Sequence, residues 1–202
     1  MPQVNTRVFY SKLDRAKYIS ALDLNNCVIR AIRRSRLPVW KTQGFNPHTY
    51  VAFMLPLSLG QEGEHEAMDF RLLENIPPEE VIERLNASLP PDIRAREVAV
   101  PQYKYQDITA ARYRVEGAPE RERFAEFMAS PEILTEKKTK KGVITVDIKP
   151  LVELWEYDGA DLFLKLPAGS EFSVNPALLL GAFSAQTGTA LARPRIVRTN
   201  TY

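Results

Sequence analysis

Short stretches in which apolar and polar residues alternate, two capped helices of 3.6-residue period set between them, and a second half in the same order of elements predict an α+β protein. The specific expectation is two tandem ferredoxin-like (βαββαβ) units with antiparallel sheets. The length of 202 residues agrees, since it suits two compact units of roughly 100 residues each. The expected division is 1–104 and 105–202, with the polar, aromatic stretch Tyr103 to Asp107 as connector. With 45% apolar and 26% charged residues the chain has the composition of a packed globular protein. Disorder, collagen and coiled coil are disfavoured.

In the first unit, residues 6–19 read as a strand, a polar turn at Lys12 to Arg15 and a short strand ending at Ile19. Ser20, with Asp23 three positions on, caps a helix over 21–36 whose Leu24, Cys27, Val28, Ala31 and Ile32 recur at helical spacing. YVAFMLPLSLG reads as a strand broken by Pro56, and EAMDFRLLE as a strand with Met68, Phe70 and Leu72 on one buried face. Pro77, Pro78, Glu79 and Glu80 open a second helix with Val81, Ile82, Leu85 and Leu89 inward, and IRAREVAV at 93–100 alternates again. The second unit repeats the plan: ARYRVEG, a helix at 119–130, strands ILTEK and VITVDI around a lysine turn, DLFLKLP, a helix capped by Asn175-Pro176, and RPRIVRT.

The net charge of +2 conceals an asymmetry. Residues 1–60 carry nine Lys and Arg against two acids, whereas residues 61–104 carry five against ten. Arg30, Arg33 and Arg34 share one helix face, and Lys41 stands near them in sequence. Guanidinium forks match phosphate oxygens, so this face is a candidate polyanion site; a solvated outer helix face is the plainer reading. Lys137 and Lys138, with Lys140 and Lys141, form a basic turn, and Arg193 and Arg195 are expected to share one face of the last strand. Such a turn can equally serve solubility.

Gly44-Phe45-Asn46-Pro47-His48 joins an aromatic ring, an amide and an imidazole in one short loop. Phe45 can stack on a base, Asn46 can read a base edge and His48 can hydrogen-bond or transfer a proton; alternatively the segment is a turn with Phe45 anchored in the core. His65, the other histidine, lies in the acidic stretch GQEGEHEAMD, which reads as a solvated loop. No metal site and no cofactor are expected, and phosphate-loop, dinucleotide and Gly-x-Ser-x-Gly patterns are absent. The single cysteine, Cys27, excludes an internal disulfide, a four-cysteine zinc ribbon and a three-cysteine iron–sulfur cradle. The sequence carries no signal-peptide pattern and no run near the roughly 18 apolar residues of a membrane helix, so a cytoplasmic protein without membrane contact is expected.

The run FYSKLDRAKYISALDLNNCVIRAIRRSRLPVWKTQGFNPHTYVAFMLPLSLG, followed by MDF, resembles the bacterial radical-SAM-linked family of uncharacterised proteins. Leu22, Asp23, Arg33, Gly44, Phe45, Asn46, Pro47 and His48 match that family's pattern, while Ala21 and Thr49 stand where it usually has His and Pro. The resemblance implies a domain found alone or C-terminal to radical SAM proteins, with stand-alone members encoded near ribonuclease and ribosomal-protein genes. The element order is also similar to tandem ferredoxin-like CRISPR repeat-processing RNA-binding proteins, at the level of fold only. The expected function is an RNA-binding or accessory module that works with a radical SAM enzyme in RNA modification or processing. The alternatives are a metal-independent endoribonuclease using His48 and a protein-interaction domain that docks a radical SAM partner without touching RNA. Without a catalytic motif, the expectation leans away from an enzyme.

Overall fold

The computed structural model describes residues 3–139, 142–169 and 172–202. The chain divides into two compact units, Met1–Asp107 and Ile108–Tyr202. Both are mixed α and β with antiparallel pairing among the strands described below. No helix among the described residues is long and apolar enough to cross a membrane.

Unit 1 contains β1 (Val4–Lys12), α1 (Ala21–Ser35), β2 (Ala52–Phe53), β3 (Glu62–Leu72), α2 (Pro78–Asn86) and β4 (Ile93–Ala99). Its strands lie in the order β4-β1-β3, with β2 paired to β3. The register sets Val8 opposite Met68 and Val98, and Val4 opposite Leu72. Val8, Tyr10, Met68, Phe70, Leu72, Ile93 and Ala95 form one core with Leu24, Val28, Ala31 and Ile32 of α1 and Val81 and Leu85 of α2. Residue alternation in the strands and the 3.6-residue period in the helices thus meet in one apolar layer.

Helix α1 begins as its sequence requires. The Asp23 N–H donates to Ser20 Oγ at 3.1 Å, and the Ser20 hydroxyl donates to Asp23 Oδ2 at 2.7 Å. At the other end Arg36 turns left-handed, with φ 56°. The Arg84 guanidinium donates to the Ser35 carbonyl at 3.0 Å and to the Arg36 carbonyl, satisfying acceptors that a helix end leaves open.

Three expectations for this unit need correction. Asp14–Tyr18 is a 3-10 turn, not part of a strand ending at Ile19, because Ala16 N–H bonds the Leu13 carbonyl and Ile19 N–H bonds the Ala16 carbonyl. The strand expected in YVAFMLPLSLG shrinks to Ala52–Phe53. Conversely β3 begins at Glu62, inside the stretch read as a solvated loop, with Glu62 and Glu66 buried. Lys17 reaches Glu62 at 2.9 Å, so a buried carboxylate is paired where its polarity alone suggests solvent. His65 stacks flat on Phe9 of β1, ring centroids 4.4 Å apart.

The centre of β1 holds Arg7, only 1% exposed, directly opposite Asp69 of β3. Its Nε and Nη2 donate to Asp69 Oδ1 and Oδ2 at 2.7 and 2.8 Å, and Nη2 also donates to the Tyr103 carbonyl at 2.8 Å. The Tyr103 ring lies over the guanidinium at 4.2 Å. The hydrogen bond with Asp69 holds the Arg7 pKa above its ordinary value, against the opposing effect of burial.

Unit 2 contains β5 (Ala110–Glu116), α3 (Arg121–Ala129), β6 (Leu134–Thr139), β7 (Gly142–Asp147), β8 (Leu154–Asp158), β9 (Asp161–Pro167), α4 (Pro176–Thr187) and β10 (Arg195–Thr201). Four of its strands pair in the order β10-β5-β9-β8, and among the described residues β6 pairs only with β7. Leu162, Leu164 and Leu166 of β9 oppose Val115, Tyr113 and Ala111 of β5, all buried. Phe124 of α3 meets Trp155, Tyr157 and Phe183 at ring-centroid distances of 5.5–6.2 Å. The expected plan therefore changes in detail: ILTEK and VITVDI make a separate hairpin, and the strand beside DLFLKLP is LWEYD, joined to it through Gly159 at φ 59°.

Removing one member of the Arg7 pair should cost more than the pair is worth, and asymmetrically. Asp69→Ala leaves a buried cation and should destabilise by about 3–5 kcal/mol in urea denaturation. Arg7→Met should cost less, because the Asp69 side chain is 26% exposed and keeps access to water. In unit 2, burial pushes the Tyr157 phenol from the ordinary 10 up to about 12, with its hydroxyl donating to the Pro119 carbonyl at 2.7 Å. The unfolded chain ionises first, so this contribution is whole below pH 10 and is lost as the pH climbs to about 12. Tyr157→Phe should flatten the alkaline fall of the melting temperature across that window.

Candidate nucleic-acid interface

The register of unit 1 decides where the GFNPH loop emerges. After α1 the chain crosses to Val39, which bridges Leu72 of β3, and Lys41 then bridges Thr49. Thr42 N–H donates to the His48 carbonyl at 2.8 Å, and His48 N–H donates to Thr42 Oγ1 at 3.0 Å. The loop is thus closed at its neck by backbone pairing and one hydroxyl. Gly44 sits at φ 120°, a conformation open to glycine and strained for a side chain.

This bracing fixes what the loop presents. Phe45 is fully exposed, so the alternative of a ring anchored in the core does not hold. His48 Nδ1 lies 3.1 Å from the Asn46 carbonyl and 3.0 Å from Thr42 Oγ1. An N–H at Nδ1 can donate to that carbonyl, whereas a bare Nδ1 would face its lone pairs; the Nδ1–H form leaves Nε2 as an acceptor, and it has no protein partner among the described residues. The Asn46 side-chain amide and the Lys41 ammonium, both exposed, likewise make no hydrogen bond or ion pair among the described residues.

The three arginines of α1 are all exposed, but they are not equivalent. Arg34 Nη2 donates to the Ser88 carbonyl at 2.6 Å, which ties it to the end of α2. Arg30 and Arg33 make no hydrogen bond or ion pair among the described residues and remain available to a phosphate. Arg33 and Arg34 occupy the last turn of α1, from which the chain passes to the loop. On the same helix Cys27 is half-buried, and burial pushes its thiol pKa up, so it is a packing residue and a poor nucleophile.

In unit 2 the basic candidates disperse. Arg195 Nη1 bonds both carboxylate oxygens of Glu116, its cross-strand partner, at 3.0 Å. Arg193 lies before β10 in a left-handed conformation, φ 50°, so it does not share a strand face with Arg195 as alternation implied. Lys137 and Lys138 lie on β6, opposite Ile144 and Val143, while Lys140 and Lys141 lie outside the described residues. Only Lys41, Phe45, Asn46 and His48 are gathered into one loop.

Sequence reading missed the residues around that loop. Thr42 braces His48, and Trp40 donates its backbone N–H to the Arg71 carbonyl at 2.8 Å while the Arg71 guanidinium covers its ring at 5.2 Å. Neither pairing has a local signature, since Arg71 is distant in sequence and a threonine has no fixed spacing to a histidine it supports.

A family model described as an uncharacterized protein conserved in bacteria (DUF2344) matches residues 5–176, which takes in all of α1 and the loop. No curated protein matches the sequence.

Because the Phe45 ring touches solvent on all sides, Phe45→Ala should change the stability of the fold by less than about 0.5 kcal/mol in thermal or urea unfolding. A core phenylalanine would cost roughly 3–5 kcal/mol, so the measurement separates the two placements cleanly.

Proposed function

The chain belongs to the DUF2344 family, and from that premise we propose that it is an RNA-binding or accessory module acting in the cytoplasm beside a radical SAM enzyme in RNA modification or processing. The observation that carries the reading is the Phe45 ring, held fully exposed on a closed loop and flanked by Lys41, the Asn46 amide and His48 Nε2. A lone exposed phenylalanine is ordinary. A ring held out by a braced loop, among donors and acceptors that have no internal partner, is a platform for an unstacked base. Arg30 and Arg33 add two free guanidinium groups for phosphates.

The strand orders support the finer fold reading. β4-β1-β3-β2 in unit 1 and β10-β5-β9-β8 in unit 2 fit two ferredoxin-like units in tandem, the second with β6 and β7 inserted before its second strand. The radical SAM partner rests on the resemblance of the first unit alone. Recognition is favoured over cleavage for His48, because its ring nitrogen contacts are a hydroxyl and a carbonyl, and no second acid or base is hydrogen-bonded to it among the described residues.

Fluorescence polarisation with a labelled stem-loop RNA across a salt series tests the proposal. Phe45→Ala should cost about 1–3 kcal/mol of affinity, and Arg30→Glu with Arg33→Glu should lower the salt slope by about two, one per lost phosphate contact. Wild-type protein that fails to bind, or binding indifferent to all three substitutions, would remove the loop and α1 as the RNA surface.

A further inference from the structure

A cleft of about 640 Å³ opens on unit 1 between the β2–β3 pair and the segment Pro101–Asp107, a size within the range of roughly 300–1,000 Å³ typical of small-molecule sites. It lies outside the loop and the arginine face. We infer that this cleft is a base-stacking subsite for one nucleotide of a bound RNA strand. The inference rests on RNA being the ligand and names where a second base would be held.

Two of its walls are aromatic and fixed from below. Phe53 of β2 packs edge-on against the buried Tyr10, ring centroids 6.1 Å apart. Tyr103 on the facing segment is anchored twice by Arg7, through its carbonyl at 2.8 Å and through its ring at 4.2 Å, yet remains 36% exposed. Tyr50, 49% exposed, stands at the cleft beside the neck of the loop, directly after Thr49. Planar faces held by the core are what a base needs, because stacking rewards a preorganised ring and tolerates any sequence.

The polar lining suits the rest of a nucleotide. The side-chain amides of Asn5 and Gln106 line the cleft and make no hydrogen bond among the described residues, so donors and acceptors stand free for base edges. Asp69 is neutralised by Arg7, and Asp107 Oδ2 accepts the Lys104 N–H at 2.7 Å. Arg71 also lines the cleft, with its guanidinium over Trp40, the residue before Lys41. Its Nη1 donates to Gln3 Oε1 at 3.1 Å, and its positive charge suits the phosphate of the same nucleotide.

Isothermal titration calorimetry of the full chain with the four ribonucleoside 5′-monophosphates, and with ribose 5-phosphate, reads this subsite apart from long RNA. The wild type should bind at least one nucleotide saturably and ribose 5-phosphate far more weakly. Tyr103→Ala and Tyr50→Ala should each weaken nucleotide binding by roughly 5- to 150-fold, the weight of one stacked base, while Tyr103→Phe keeps the ring and the affinity. Tyr50 lies outside the segment that Arg7 anchors, so its variant reports on stacking even where Tyr103→Ala loosens Pro101–Asp107. No saturable nucleotide binding, equal affinity for ribose 5-phosphate, or unchanged affinity in both alanine variants would overturn the subsite. Nucleotide binding that persists while stem-loop RNA ignores Phe45→Ala would uphold the cleft and refute the loop; the converse pattern would refute the cleft alone.

Discussion

Unit 1 depends on how one buried cation is paid for. Arg7 sits in the central strand of the sheet, where an unpaired guanidinium would be intolerable, and it is accommodated because Asp69 lies directly opposite and Tyr103 lends both a carbonyl and a ring. Met54, just after β2, adds its sulfur at 3.2 Å from Nη2. One side chain thereby fixes the β1–β3 register, draws in the chain after β2 and pins the segment that follows β4. A slip of one residue would put Asp69 out of reach and turn the strand's apolar face away from the helices. The pair contributes little net stability against a well-packed apolar substitute, and its effect is on which arrangement is adopted.

Much of this was legible where the chain signals locally. Ser20 and Asp23 announce α1, the proline and glutamate pairs announce α2, and Asn175 announces α4, because caps and proline act through residues only a few positions away. The failures have the opposite character. Glu62 and Glu66 are buried in β3 against the sense of their polarity, and the partner that stabilises Glu62 is Lys17 on another element. Arg7 and Asp69 are 62 positions apart, and nothing in either strand's pattern couples them. LWEYD did carry a signal, with Trp155 and Tyr157 alternating against Glu156 and Asp158 before an Asp-Gly turn. The hairpin around the lysine turn has a similar pattern and competed for the same place in the sheet.

The candidate site divides along the same line. The composition of the GFNPH loop stands out in the sequence because glycine and proline mark it as a turn, but whether Phe45 points inward or outward depends on the Thr42–His48 closure, which has no sequence signature. Charge is worse still as a guide. Arg30, Arg33 and Arg34 are alike in the sequence, yet Arg34 is engaged by Ser88, and Arg195 by Glu116, while Arg30 and Arg33 are free among the described residues. A basic residue is evidence for a polyanion only after its internal partners are known.

Within unit 1, β4 ends the order β4-β1-β3-β2, and within unit 2, β8 ends the order β10-β5-β9-β8. A bare edge invites a further strand, from a second copy or from an extended peptide, through its unpaired backbone groups. Here β4 carries Arg94, Arg96 and Glu97, and β8 carries Glu156 and Asp158. Charges of both signs on β4 and acidic charges on β8 penalise an incoming strand, so backbone-to-backbone recruitment is disfavoured at each of these strands. An extended segment would therefore have to be held through side chains on loops and helices, met one by one, and being extended would not be enough.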